Sequence, residues 1–326
     1  MQQFETEIYL RYKQIIERDC HAAIQVSEHA EEPASPFSCE NVQPRSVTLS
    51  EIIDRYDAFC FDGYGTLYNR GSFVYPGAME WFQSLRRAGK HLRLVTNAAS
   101  DVDEVLARDA DKRGFDFSTE ETISSGSLLK DLVAELRGHG HELREVYYIG
   151  RETGKNVLAK CGITAVPMDA EPAEPIVAIS SAKDTPETYA QAVKILQKPG
   201  AILLVLNSDA WAPKIPDENG VTVREPVSGA LSERLRRDSA CDANGGEGCV
   251  TFYLGKPFPA IWERVKASLP AGSRVLMIGD TLGTDVYGAK IAGFDSALVV
   301  GRNVPADELE ADEAALGIRP DWYLLP

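Results

Sequence analysis

Residues 57–68, which read DAFCFDGYGTLY, decide the fold. The segment begins as a short apolar run typical of a buried β-strand, and Asp62 and a glycine-rich turn follow it directly. Amphipathic stretches such as AMEWFQSLRRAG and AIWERVKASL separate several of the later apolar runs. Apolar strands that alternate with helices predict an α/β fold with a parallel sheet covered on both faces. The other predicted strands are 92–95, 146–150, 175–180, 201–206, 250–255, 274–279 and 296–300.

Reactive side chains follow several of these predicted strands. Asp62 ends the first strand, Thr96 ends the second, and Asp280 and Asp285 follow the strand at 274–279. Lys256 follows the run TFYLG. Ligands of parallel sheets bind outside the carboxyl ends of the strands. Folded into one sheet, these ends are expected to meet in one crevice with three carboxylates, a hydroxyl and an ammonium group.

This set of groups fits phosphoryl or related displacement chemistry. A carboxylate can attack phosphorus or carbon and form a covalent intermediate. Oxygen ligands from Asp62 and Asp280 suit Mg²⁺, while Thr96 and Lys256 could hold the remaining phosphoryl oxygens. Each residue alone has a structural reading, because a lone aspartate after a strand is more often a turn or helix cap. The combination in this order is what indicates a site.

The four pieces D-x-x-G-T-L, T-N, G-K-P and G-D-x-x-x-x-D resemble the motifs of the haloacid dehalogenase superfamily of hydrolases. Only 34 positions separate Asp62 from Thr96, but 160 separate Thr96 from Lys256. This layout is similar to subclass IIA, the 4-nitrophenyl, pyridoxal and sugar phosphatases, whose α/β cap lies between the second and third motifs. The resemblance implies a Rossmann-like core with a parallel sheet and a smaller α/β cap domain.

The resemblance covers about residues 55–303 and, with the N-terminal segment that lies outside it, gives three expected parts. These are an N-terminal helix and linker (1–48), a core (49–142 and 248–326) and a cap (143–247). Residues 5–20 have helical periodicity, but the sequence leaves open whether this helix packs on the body or on a partner. The cap strand at 201–206 could form a cap-to-cap homodimer interface.

The family motifs also imply residue roles. Asp62 is expected to be the nucleophile and a Mg²⁺ ligand, with Asp280 and the backbone carbonyl of Tyr64 as further ligands. Asp285 is expected to support the metal site, and Thr96 and Lys256 to hold phosphate. The other expected substrate contacts are Gly63, Asn97, Asn207 and Asp209.

Tyr64 departs from the family pattern. Phosphatases of the family carry an aspartate at this position, which protonates the leaving oxygen and then activates water. A phenol with a pKa near 10 is a poor substitute, and loss of a general acid–base group costs about 10²–10⁴-fold in rate. Tyrosine here resembles the haloacid dehalogenases themselves, but those enzymes have a helical cap between the first two motifs and lack the metal motif.

Three functions therefore stay open. The first is a Mg²⁺-dependent phosphohydrolase that acts on a small phosphorylated metabolite through an aspartyl-phosphate intermediate, with weak or specialised turnover. The second is dehalogenase-like displacement at carbon by Asp62. The third is a catalytically weak metal-binding or interaction protein that acts through its N-terminal helix. The metal motif favours the first.

The composition limits the partners. A net charge of −15 over 326 residues argues against binding to nucleic acid or anionic membranes, which reward positive surface. The N-terminus lacks the apolar core of a signal peptide, and no apolar stretch approaches 18 residues. We therefore expect a cytoplasmic protein with no membrane or nucleic-acid partner.

Overall fold

The computed structural model describes residues 3–26, 44–220, 222–240 and 249–325. The strands are β1 (Arg45–Val47), β2 (Ala58–Phe61), β3 (His91–Thr96), β4 (Thr122–Ser124), β5 (Glu145–Ile149), β6 (Thr164–Ala165), β7 (Ile176–Ile179), β8 (Ile202–Val205), β9 (Trp211–Pro213), β10 (Arg224–Pro226), β11 (Val250–Tyr253), β12 (Val275–Gly279), β13 (Asp295–Leu298) and β14 (Trp322–Leu324). The α-helices are α1 (Gln3–Val26), α2 (Leu49–Ile52), α3 (Ala78–Arg87), α4 (Asp103–Asp111), α5 (Leu129–Gly138), α6 (Gly154–Lys160), α7 (Pro186–Leu196), α8 (Ser228–Asp238), α9 (Pro259–Ala267), α10 (Tyr287–Ala292) and α11 (Leu309–Leu316).

Seven strands form one sheet in the order β1-β14-β13-β12-β2-β3-β4, and every pairing in it is parallel. All four residues of β2 are buried because β12 and β3 flank it and helices cover its faces. Helix α3, for example, buries Trp81, Phe82 and Leu85. The predicted α/β fold is confirmed, and the order β12-β2-β3 sets the ends of the three motif-bearing strands side by side.

A second parallel sheet has the order β11-β8-β7-β5-β6, and β9 and β10 form a separate antiparallel pair. We call the part built on the seven-stranded sheet the core and the part built on the five-stranded sheet the cap. Strand β11 pairs with β8 of the cap, so the expectation that Lys256 follows a strand of the same sheet as Asp62 is wrong. Apolar runs are alike in both sheets, and nothing in the run at 250–255 says which sheet it joins.

Strand β8 lies inside the cap sheet, paired on both sides. All four of its residues are buried. It therefore offers no free edge for the cap-to-cap contact that its apolar sequence suggested. The apolar character comes from burial within the chain.

Helix α1 packs on its own chain. Ile8, Tyr9, Tyr12 and Ile16 are buried in one cluster with residues of both the core and the cap. Towards the core, the ring of Tyr12 lies 5.1 Å from that of Phe258. Towards the cap, its hydroxyl donates to the backbone oxygen of Ser208 at 3.0 Å. The question that the sequence left open is answered in favour of the body.

The predicted linker ends earlier than residue 48. Arg45–Val47 form β1, which pairs with β14 at the edge of the core sheet. Residues 27–43 lie outside the described residues, and the division into residue ranges stays a prediction. Among the described helices, none has the length and apolarity needed to cross a membrane.

Candidate active site

The predicted strand ends converge. Asp62 and Asp280 directly follow the adjacent strands β2 and β12, Thr96 is the last residue of the neighbouring β3, and all three are buried. The ammonium of Lys256 lies 2.6 Å from Asp62 Oδ1 and 2.7 Å from Asp285 Oδ1. Lys256 therefore reaches the core carboxylates from the loop after a cap strand.

Asp285 is held by the turn in which it lies. Leu282–Val286 form one π-helical turn at the carboxyl end of β12. Asp285 Oδ2 accepts the backbone N–H groups of Asp280 and Thr281, both at 3.1 Å. A Cβ on Gly279 would lie 2.2 Å from Asp285 Cγ, so only glycine fits there. Asp285 thus fixes both the loop after β12 and the ammonium of Lys256.

The carboxylate of Asp280 has an unused oxygen. Its Oδ2 is buried and has no hydrogen-bond partner among the described residues. It lies so close to Gly65 that a Cβ there would be 2.0 Å away, and Gly65 has the positive φ of 104° that glycine accepts most readily. Burial raises the pKa of Asp280 well above its usual range, and the nearby carboxylates Asp62 and Asp285 add to the effect. A buried orphan oxygen among like charges is an arrangement that a cation would stabilise.

The donor set fits a magnesium ion. Asp62 and Asp280 offer carboxylate oxygens, and no hydrogen bond to the backbone carbonyl of Tyr64 is found within the described residues. Within the same residues no three His, Cys, Asp or Glu side chains are grouped as a metal site. A magnesium ion here would depend on two carboxylates, one carbonyl and water, a combination that Mg²⁺ commonly accepts.

The charges of Asp62 and Lys256 depend on one another. Burial raises the pKa of Asp62 to about 7, and Lys256 only partly offsets this. For Lys256, burial alone would lower the pKa, but Asp285, Asp62 and Asp209 together raise it above its ordinary value. The lysine is therefore charged, and each positive charge near Asp62 favours the ionised carboxylate that can act as a nucleophile.

A cavity of about 520 Å³ opens above these groups. Tyr64, Thr96, Asn207 and Asp209 line it together with Asp62. Its wall therefore comes from both the core and the cap. The remaining groups described above also line it: Lys256, Asp280 and Asp285.

Two predicted substrate contacts are placed differently. Neither Gly63 nor Asn97 is among the described residues that line the cavity. The carbonyl of Gly63 accepts backbone N–H groups within its own turn, including that of Tyr68 at 3.1 Å. Asn97 is buried, and its side chain bonds to the backbone of Lys256 through both Oδ1, at 2.7 Å, and Nδ2, at 3.0 Å. The geometry makes Asn97 an organiser of the site.

The two cap residues differ in their partners. Asn207 Oδ1 accepts the backbone N–H of Asp209 at 2.8 Å, which shapes the loop after β8. Asp209 Oδ1 accepts from Asn97 Nδ2 at 2.8 Å, and the Thr284 hydroxyl also bonds to its carboxylate. Asp209 therefore joins the cap loop to two loops of the core.

The phenol of Tyr64 lies against Tyr68, with ring centroids 5.1 Å apart at 81°. Burial raises the pKa of Tyr64, and Arg113 only partly opposes this. The phenol is therefore an even weaker acid than an exposed tyrosine, which supports the view that position 64 has lost the usual proton donor.

Sequence reasoning missed one buried cation of the site. Arg302 donates to the backbone oxygens of Gly65 and Thr66 and lies 4.1 Å from the ring of Tyr75. Burial lowers the pKa of Arg302 to about 10. It follows β13 in the chain but does not line the cavity, and no motif in the sequence marks it.

Comparison with known proteins gives a consistent result. A family model described as haloacid dehalogenase-like hydrolase matches residues 59–164, and a second, HAD-hydrolase-like model matches residues 253–324. The chain is 26% identical to the 4-nitrophenylphosphatase of Schizosaccharomyces pombe over 84% of this chain and 93% of that protein.

Two solved structures share the fold. One is a possible sugar phosphatase from Cytophaga hutchinsonii (TM-score 0.69, 23% identity, covering 86% of this chain and 97% of that one). The other is the glycerol phosphate phosphatase of Mycobacterium tuberculosis in complex with magnesium (TM-score 0.61, 25% identity, covering 84% and 76%). The two family models together match more than half of the residues, on the same motifs that build the cavity. This chain belongs to the haloacid dehalogenase-like hydrolases, in the subclass whose α/β cap lies between the second and third motifs.

Proposed function

We propose that this hydrolase is a Mg²⁺-dependent phosphatase that acts on a small phosphorylated metabolite through an aspartyl-phosphate on Asp62. The observation that carries the proposal is the buried contact of Lys256 with Asp62 and Asp285, beside the unpartnered oxygen of Asp280. Relatives named as phosphatases, one of them solved with magnesium, support it.

The chain's own residues divide the work as follows. Asp62 attacks phosphorus, and the Lys256 ammonium and the Thr96 hydroxyl hold phosphoryl oxygens as negative charge builds up. Asp285 keeps Lys256 in place. A magnesium ion held by Asp62, Asp280 and the Tyr64 carbonyl would supply the positive charge that orients the phosphoryl group and keeps Asp62 ionised.

Tyr64 affects which leaving groups can be released, because it replaces the usual proton donor. If no other group replaced the missing carboxyl at position 64, leaving groups that need no proton would be hydrolysed much faster than alkyl alcohols. Aryl and acyl phosphates are the expected good substrates. Alkyl phosphates then depend on a proton from another group.

The test uses 4-nitrophenyl phosphate and acetyl phosphate, with and without Mg²⁺. We expect hydrolysis with Mg²⁺, and a loss of at least about 10³-fold in Asp62→Asn, since removal of a nucleophile costs that much or more. Asp57→Asn, at a partly exposed position just before the same strand and away from the cavity, is the matched control and should keep its activity. Halide release from a 2-haloacid without Mg²⁺, and no phosphate release, would instead support displacement at carbon.

The third hypothesis, an interaction protein that acts through its N-terminal helix, is not favoured. It relied on the apolar stripe of α1, which is buried on the same chain. A fully inactive protein that still binds Mg²⁺ would nevertheless contradict the phosphatase proposal.

A further inference from the structure

Besides the core carboxyls Asp62, Asp280 and Asp285, the cavity is lined by a carboxyl from the loop after cap strand β8. Asp209 lies on the loop between β8 and β9 and lines the cavity with Asp62, Tyr64 and Lys256. We call Asp62, Thr96 and Lys256, the proposed phosphoryl-binding groups, the floor of the cavity. The cap must cover the part of a substrate that points away from this floor. A cap carboxyl in that wall is therefore on the side where the leaving group lies.

The position of Asp209 is fixed from two sides. Asn97, after β3, donates to Oδ1 at 2.8 Å, and the Thr284 hydroxyl bonds to the same carboxylate. The neighbouring Ser208 is fully buried, whereas Asp209 stays partly exposed to the cavity. A group that only anchored the cap would not need to face the cavity.

The charge state of Asp209 is suited to proton transfer. Burial raises its pKa to about 6, although Lys256 acts in the opposite direction. General acid–base groups work best when their pKa lies near the working pH. The phenol of Tyr64, whose pKa is raised above its already high value, does not meet this condition.

Resting on the proposed phosphatase function, we infer that Asp209 is the general acid–base residue, supplied by the cap in place of the carboxyl that position 64 lacks. In the first step Asp62 forms a bond to phosphorus, the bond from phosphorus to the leaving oxygen breaks, and that oxygen takes the Asp209 proton. In the second step the Asp209 carboxylate takes a proton from water while the water oxygen attacks phosphorus. The bond from phosphorus to Asp62 then breaks, which releases phosphate and returns both aspartates to their starting states.

Asp101 is the main competing candidate, since the cap carboxyl Glu225, which also lines the cavity, is paired with Arg70 and Lys214. Asp101 also lines the cavity, and burial raises its pKa. Its electrostatic neighbours are Arg151 and Asp109, and a hydrogen bond with Thr153 ties it to the cap side of the rim. Lys256 is not an electrostatic neighbour of Asp101. For Asp209, in contrast, Lys256 is the charged residue with the largest effect on the pKa. Asp209 is therefore the carboxyl coupled to the phosphoryl-binding floor.

The test compares two leaving groups in Asp209→Asn. Glycerol 3-phosphate releases an alkoxide that needs a proton, whereas 4-nitrophenolate does not. We expect kcat/KM to fall about 10²–10⁴-fold for glycerol 3-phosphate and less than about tenfold for 4-nitrophenyl phosphate. Equal losses on both substrates, or no loss on glycerol 3-phosphate, would overturn the assignment.

Asp101→Asn is the matched control, because it removes another partly exposed carboxyl from the same cavity. It should change kcat/KM for both substrates by the same factor. A selective loss on glycerol 3-phosphate in Asp101→Asn would transfer the role to Asp101.

A measurement on the wild-type protein tests the inference even if Asp209→Asn does not fold. With a proton donor present, kcat/KM for a series of aryl and alkyl phosphates should depend weakly on the leaving-group pKa. A steep dependence in the wild type would overturn the inference while leaving the phosphatase proposal intact. If the wild type hydrolyses neither substrate with Mg²⁺, the phosphatase proposal itself fails.

Discussion

At the residue scale, the side chain at position 64 separates this chain from phosphatases that carry an aspartate there. The ring of Tyr64 lines the cavity and packs edge-on against Tyr68. Its backbone, in contrast, can keep the function that the family assigns to it, because the carbonyl is independent of the side chain. Position 64 can therefore be changed without removing a proposed metal ligand.

Tyr64→Asp is expected to raise kcat/KM for glycerol 3-phosphate by at least about tenfold, because it places a second carboxyl near the leaving group. The value for 4-nitrophenyl phosphate should change less. Tyr64→Asn is the control, since it removes the same ring without adding an acid. Equal kcat/KM values for the two variants would show that no proton donor had been restored.

The sequence located most of the reactive residues because the motifs stand directly after strands. Asp62, Thr96, Lys256, Asp280 and Asp285 all meet around one cavity. Asn97 was predicted to contact substrate, but its side chain bonds to Lys256 and Asp209 and does not line the cavity, and a polar residue after a strand looks the same in either case. Arg302 was overlooked because its partners are backbone carbonyls, which leave no trace in a sequence.

At the element scale, α1 lies across both parts of the molecule. Its buried stripe covers core residues such as Leu282 and Val286 and cap residues such as Ala230. Helix α1 should therefore contribute strongly to stability even though it lies outside the family motifs.

Ile16→Ala tests this contribution. Ile16 is 1% exposed, and the loss of a buried isoleucine side chain costs about 2–5 kcal/mol. The free energy of unfolding, measured in urea, should fall by that amount. Gln14→Ala, at an exposed position of the same helix, should change it by less than about 0.5 kcal/mol. Equal, small effects would mean that α1 is not packed as described.

Glu5 makes the packing of α1 depend on pH. Its carboxylate lies 2.9 Å from Arg224, yet burial raises the pKa of Glu5 to about 7 and Arg224 offsets this only in part. A raised folded-state pKa means that the stabilisation is complete below the ordinary pKa and is lost as pH rises through about 7. Ionisation of Glu5 should therefore weaken the native state between about pH 5 and pH 8.

Glu5→Gln removes this titration. The free energy of unfolding of Glu5→Gln minus that of the wild type should become more positive between pH 5 and pH 8. Urea unfolding of both proteins at the two pH values gives the difference directly. A difference that is constant, or that becomes more negative, would show that pairing with Arg224 outweighs the cost of burial.

The strands show where sequence patterns reach their limit. All eight predicted strands are present, shifted by no more than two residues at either end. The sheet to which β11 belongs was predicted wrongly, because hydrophobic burial is the same in both sheets. Short strands such as β1 and β4 were missed, since three residues are too few to set a pattern.

At the scale of the whole molecule, the side chain of Asn97 joins the core to the cap. It donates to Asp209 Oδ1 at 2.8 Å and to Ser208 Oγ at 3.2 Å, and it accepts the N–H of Lys256 at 2.7 Å. A Cβ on Gly255 would lie 2.3 Å from Asn97 Oδ1, so the loop after β11 has a glycine where the two parts meet. The amide group of Asn97 thus helps to fix the cap loop and the backbone of Lys256 relative to the core.

Asn97→Ala should lower the free energy of unfolding by about 2–4 kcal/mol, because it leaves several buried polar groups without partners. Asn156→Ala, on the exposed face of cap helix α6, is the control and should have little effect. Thermal or urea unfolding without substrate measures both. If Asn97→Ala instead leaves stability unchanged and raises only KM, Asn97 contacts substrate directly.

The central claim is that Asp62 carries the phosphoryl group during turnover. Acid quenching during hydrolysis of 4-nitrophenyl phosphate with Mg²⁺, followed by borohydride reduction, would convert an acyl phosphate into homoserine. Tandem mass spectrometry of the peptide around Asp62 should then find homoserine at position 62, and none when substrate is omitted. Steady phosphate release with position 62 unmodified, or with the modification on another aspartate, would contradict the account.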